Sequence, residues 1–138
     1  MTDTVQGFVE AEYADFPGKK AYRVNYYNSW RTGVYTSWYP DGKKMETIIF
    51  QKGKRNGEYT LFDSTGAIVI KGVYFNNVKD GFWIFKRYNF YGKYKNGRKN
   101  GTWKWKTEAG KLKFEYKNGK LERSPSVIIT IPRFILLN

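Results

Sequence analysis

The stretch Phe90-Tyr91-Gly92-Lys93-Tyr94-Lys95-Asn96-Gly97-Arg98-Lys99-Asn100-Gly101-Thr102-Trp103 holds the key to the architecture of this 138-residue chain. It ends on a glycine with an aromatic residue two positions later, and the same arrangement recurs upstream. Twenty residues before Gly101 stands Asp80-Gly81-Phe82-Trp83. Another 24 residues back is Asn56-Gly57-Glu58-Tyr59, and 24 more reach Thr32-Gly33-Val34-Tyr35. An aromatic residue lies seven positions before each of these glycines, at Tyr26, Phe50, Tyr74 and Tyr94. Self-similarity at a fixed short period is the mark of a chain built from stacked supersecondary units.

Each unit has room for two strands and two tight turns. Asn-Gly and Asp-Gly pairs favour the positive φ angles of type I′ hairpins, and they occur at Asp41-Gly42, Asn56-Gly57, Asp80-Gly81, Asn96-Gly97, Asn100-Gly101 and Asn118-Gly119. Between them the side chains alternate with period two. Trp103 and Trp105 fall on one face, with Thr102, Lys104 and Lys106 on the other. Leu112, Phe114 and Tyr116 alternate in the same way with Lys111, Lys113, Glu115 and Lys117. Such spacing admits hairpins but no crossover helices. The expected fold is all-β: an up-and-down antiparallel meander of stacked hairpin repeats, about 9–10 strands in an elongated single sheet, with almost no helix. Residues 1–15 read as an acidic lead-in strand, 16–124 as the repeat sheet, and 125–138 as an apolar capping or dimerisation segment punctuated by Pro125 and Pro132.

The stretch from Phe90 to Gly101 resembles a MORN repeat, whose pattern is aromatic-x-Gly-x-aromatic-x-x-Gly-x-x-x-Gly. A second copy from Ile70 to Gly81 keeps most of that pattern, with Asn77 in place of one glycine. The resemblance covers roughly residues 16–120. After the last glycine, where Gly-x-Gly is expected, this chain carries the aromatics Tyr35, Tyr59, Trp83 and Trp103. It is thereby similar to variant MORN-like repeats of bacterial antitoxin-like proteins and large DNA viruses. The resemblance implies a scaffolding, dimerisation or partner-binding sheet without catalysis.

Composition narrows the chemistry. The chain has neither His nor Cys, which removes imidazole bases, thiolate nucleophiles, His- or Cys-type zinc sites and disulfides. The acids are scattered, and Asp41, Asp63 and Asp80 fall at expected turns, where Asp serves local hydrogen bonding. No Ser-x-x-Lys motif, Ca²⁺ loop or phosphate-cradling loop is present. The expectation is a non-enzymatic protein with no cofactor, no metal and no small-molecule substrate. The start, Met1-Thr2-Asp3-Thr4-Val5-Gln6, lacks a basic region and an apolar stretch, so an intracellular, soluble, non-secreted protein is expected, a virion component included.

Charge is uneven. The net charge is +13. Residues 1–18 hold four acids and no base, whereas 86–123 hold 13 bases and three acids. So dense an excess points to a polyanionic partner. Cations before or beside the turn glycines (Lys52, Lys54, Arg55, Lys95, Arg98, Lys99, Lys120 and Arg123) form the candidate contact row along one sheet edge, because alternate turns of a meander share an edge. Two other readings stand beside it: solvated turn lysines, and an anionic membrane partner. The recurring aromatics Tyr35, Tyr59, Trp83 and Trp103 read as a structural spine rather than a platform for bases. The apolar tail, with Val127, Ile129, Ile131, Phe134, Ile135, Leu136 and Leu137, would cap its own sheet, pair with a second subunit, or meet a foreign partner or membrane. Taken together these point to a self-associating scaffold, a homodimer with protein partners. Two alternatives are a basic protein that binds DNA or RNA with weak sequence specificity, and a membrane-peripheral or antitoxin-like module.

Overall fold

Period-two alternation between positive-φ turns builds the architecture. The computed structural model describes residues 4–123 and residue 135. Eleven strands run in sequence: β1 (Gly7–Tyr13), β2 (Phe16–Tyr27), β3 (Trp30–Trp38), β4 (Lys44–Gln51), β5 (Lys54–Phe62), β6 (Ile68–Phe75), β7 (Val78–Phe85), β8 (Phe90–Lys95), β9 (Arg98–Thr107), β10 (Gly110–Lys117) and β11 (Lys120–Arg123). One short 3-10 turn, Lys86–Tyr88, joins β7 to β8. Each strand pairs antiparallel with its chain neighbours, giving one open sheet in the order β1 to β11. The all-β meander expected from the sequence is therefore the fold, with eleven strands in place of nine or ten. Among the described residues no helix is long and apolar enough to cross a membrane.

Two turn assignments hold and three are corrected. Asn96-Gly97 and Asn118-Gly119 are two-residue hairpin turns with positive φ at both positions. The glycines Gly57, Gly81 and Gly101 instead lie inside β5, β7 and β9. The turns that precede β5 and β7 are Lys52-Gly53 and Asn76-Asn77, again with positive φ throughout. Gly42 keeps its place in the loop between β3 and β4.

The recurring glycine is a bulge. Phe50 pairs with Arg55 and Ile48 with Tyr59, so residues 56–58 face Ile49 alone. The same slip occurs from Val73↔Asp80 to Lys71↔Ile84, from Lys93↔Asn100 to Tyr91↔Lys104, and from Asn25↔Thr32 to Arg23↔Thr36. Each bulge carries its glycine at positive φ (70°, 133°, 62° and 78° at Gly33, Gly57, Gly81 and Gly101). Such bulges bend a strand and increase its twist.

One sheet face carries the core. Trp83, Phe90, Tyr94, Trp103, Phe114 and Tyr116 are buried together, and Ile135 packs among them fully enclosed. Ile135 thus packs on the sheet of its own chain; Val127, Ile129, Ile131, Phe134, Leu136 and Leu137 lie outside the described residues. Trp83 sits against Gly72 and Trp103 against Gly92 so closely that an added Cβ would fall 2.0 and 2.3 Å from the indole rings. Their Nε1–H groups donate to the carbonyls of Val73 and Lys93, both at 2.9 Å. Edge-to-face contacts link the rungs, as between Tyr94 and Trp103 at 5.0 Å. Each such pair contributes about 0.5–1.5 kcal/mol beyond burial.

Candidate polyanion interface

Register divides the expected row of turn cations between two faces. Arg55 pairs with Phe50 and Lys99 with Tyr94, and so they share the aromatic face. Arg31 and Lys79 sit likewise opposite Tyr26 and Tyr74. These four cations lie two residues before the bulge glycines, and each overlies an aromatic ring of the next unit. The Arg31 and Arg55 guanidinium carbons stand 4.5 and 4.3 Å from the Phe50 and Tyr74 ring centres. Lys79 Nζ stands 5.1 Å from Tyr94, and Lys99 Nζ 5.1 Å from Tyr116. Cation–π contact of this kind holds the charge at a ring face and out of the solvent-facing row.

The backbone repeats the same link. Gly53, Asn77, Gly97 and Gly119 donate their N–H groups to the carbonyls of Arg31, Arg55, Lys79 and Lys99, at 2.9–3.0 Å. Each of these four turns is thus clamped to the unit before it. Burial, with Lys79 as a like-charged neighbour, holds the Lys99 amine down to about 8. Burial also lowers Lys79, with Arg55 as the second cause.

Lys99 is 1% exposed and donates from Nζ to the Ile135 carbonyl at 2.6 Å. It is therefore placed inside the protein, away from any partner on the turn edge. Arg55 donates from Nη2 to the Asn77 carbonyl at 2.9 Å. Lys52, Lys54, Lys95, Arg98 and Lys120 are exposed along that edge. Arg123 closes β11. Alternation counted from each turn would have separated Arg55 and Lys99 from the rest, since both lie opposite the recurring aromatics.

On the outward face a denser array assembles. Lys95 lies directly opposite Arg98, Lys104 opposite Lys113, Lys106 opposite Lys111, and Lys117 opposite Lys120. Directly opposed residues on one face have Cβ atoms about 4.5–5.5 Å apart, and like charges so placed destabilise the sheet. The ion pairs found among the described residues, Lys20–Glu10, Lys43–Asp41 and Lys71–Glu58, all lie N-terminal to this array. Glu115, the acid within it, accepts from the Thr102 hydroxyl at 2.9 Å. Lys104, Lys106, Lys111 and Lys113 carry no turn signal, and pairing alone brings them together. Beside them Phe82 pairs with Lys93 and Tyr91 with Lys104. These residues flank a depression of about 590 Å³ between the Gly81 and Gly101 bulges.

The N-terminal half of the same face carries exposed apolar side chains among polar and charged ones. The hairpin pairs Tyr27–Trp30 and Phe75–Val78 flank their turns and are exposed. The corresponding pair between these two is Gln51–Lys54, and those further along the sheet are Lys95–Arg98 and Lys117–Lys120, so the exposed apolar pairs fall in the N-terminal units and the doubly basic ones in the C-terminal units. Among the described residues no group of three or more Asp and Glu side chains gathers where it could hold a metal ion. No family model matches the chain, and no curated protein matches its sequence.

Proposed function

We propose that this protein is a non-enzymatic structural module, a MORN-like β-repeat scaffold that self-associates and binds through its extended outward face. The observation that carries this reading is the set of large apolar side chains left in solvent on that face, with Tyr27 65% and Trp30, Phe75 and Phe8 56–58% exposed. Large aromatic side chains left exposed on one face, here on both sides of the Gln51–Lys54 pair, offer anchors for an interaction site. A second copy turned by a two-fold axis offers the same row in return, which makes an isologous homodimer the simplest occupant.

Light scattering on the full chain at tens of micromolar tests the reading. A dimer is expected, and the triple variant Tyr27→Ser/Trp30→Ser/Phe75→Ser should be monomeric with its far-UV spectrum intact. A strictly monomeric full-length chain overturns the self-association.

A further inference from the structure

The lysine array and the depression beside it go beyond a scaffold role. We propose that the outward face of β7–β10 binds single-stranded nucleic acid, its bases lodged against Phe82 and Tyr91 and its phosphates on the opposed lysines.

Three observations carry this. Four like-charged pairs stand directly opposite one another on β8–β11, an arrangement that costs folding energy unless an anion shares it. Lysines two residues apart along a strand are about 6.8 Å apart, a spacing of the order of that between successive phosphates in an extended strand. Aromatic rings are set into the same field: Phe82 is the register partner of Lys93 and Tyr91 of Lys104, with their ring centres 6.1 Å apart. Rings for bases beside cations for phosphates are the two elements of a single-strand platform.

The surface also discriminates among polyanions. It is a sheet face without a protruding helix, so it has nothing to enter a duplex groove and touches only backbone there. Tyr91 is half-buried in the depression, which leaves Phe82 as the exposed ring on this surface. Asn100 and Thr102 line the depression with polar groups that can meet the edge of a stacked base.

Fluorescence anisotropy with a labelled oligothymidine of about 15 nucleotides, on the full chain at about 50 mM salt, tests the proposal. Oligothymidine should bind at least tenfold more tightly than a duplex of equal length. Phe82→Ala, at an exposed ring, should weaken it roughly tenfold with the salt slope unchanged. Lys104→Gln/Lys113→Gln should flatten the slope of log K against log salt by about 2. Vesicles containing phosphatidylserine should not displace the oligonucleotide. Equal affinity for the duplex, displacement by those vesicles, unchanged binding by Phe82→Ala, or no binding of oligothymidine would each overturn it.

Discussion

The Lys99 ammonium donates to the carbonyl oxygen of Ile135 at 2.6 Å, within a ring of aromatic side chains. The Tyr116 hydroxyl donates to the same oxygen at 2.5 Å. Two donors from adjacent rungs thus meet one backbone acceptor from a residue 36 positions beyond the lysine. A buried carbonyl left without a donor would cost about 1–3 kcal/mol. The pair of donors therefore anchors Ile135 on the sheet.

This burial makes stability depend on pH in a defined sense. Lys99 has its pKa lowered to about 8 in the folded chain from 10.5. Between those values the unfolded chain binds the extra proton, so stability rises as pH climbs from about 8 towards 10. Tyr94 and Tyr116 are raised by burial to about 12; above pH 10 the unfolded chain has lost protons that the folded chain keeps, and stability falls. Urea titrations at intervals from pH 7 to pH 11 should find a maximum near pH 10. Lys99→Met should shrink the rise to the part that half-buried Lys79 supplies, and leave the fall. A rise of undiminished size after the substitution would refute the assignment.

Trp103 and Gly92 should prove strongly coupled. Gly92→Ala places a Cβ where the indole now lies, and overpacking of this kind costs about 1–3 kcal/mol. In the first two units the positions equivalent to Gly72 and Gly92 are Val24 and Ile48, and the aromatics equivalent to Trp83 and Trp103 are Tyr35 and Tyr59. A smaller ring accompanies a larger partner. Trp103→Tyr should accordingly recover part of the loss in a Gly92→Ala background, and a double-mutant cycle by chemical denaturation should give a coupling above about 0.5 kcal/mol.

Gly101 isolates the backbone requirement of the bulge. Its φ is 78°, and a Cβ added there meets nothing within 4 Å. Any cost of Gly101→Ala is therefore conformational, about 1–2 kcal/mol. Gly101→Asn should cost less, because Asn tolerates the left-handed region. Equal losses for Ala and Asn in thermal melts would mean that something other than φ is involved.

Lys104→Glu separates stability from binding. It turns the opposed Lys104–Lys113 pair into an attractive one, worth a few tenths to about 1 kcal/mol. The variant should be more stable than the parent chain while losing affinity for oligothymidine. A variant that loses both, or gains neither, would show that the array is not held under strain for an anion.

Much of this arrangement is legible before any coordinates. The 24- and 20-residue spacing of Gly33, Gly57, Gly81 and Gly101 marks the units, and alternation around Trp103 and Phe114 marks strands with one aromatic face. These are local properties: period-two alternation and the φ preference of Asn-Gly act within a few residues.

The function of each glycine is not local. A glycine at positive φ serves a two-residue turn and a bulge equally well, and only pairing with the neighbouring strand distinguishes Asn96-Gly97, which turns the chain, from Asn100-Gly101, which bends it. A slip of one residue moves a side chain to the opposite face. Register therefore sends Lys99 into the aromatic core and sets Lys104 against Lys113 on the outward face. The chain alone announces its cations and its repeats. Which cations are buried and which confront each other follows from hydrogen bonds between strands, because face and partner are properties of a pair of strands rather than of either one.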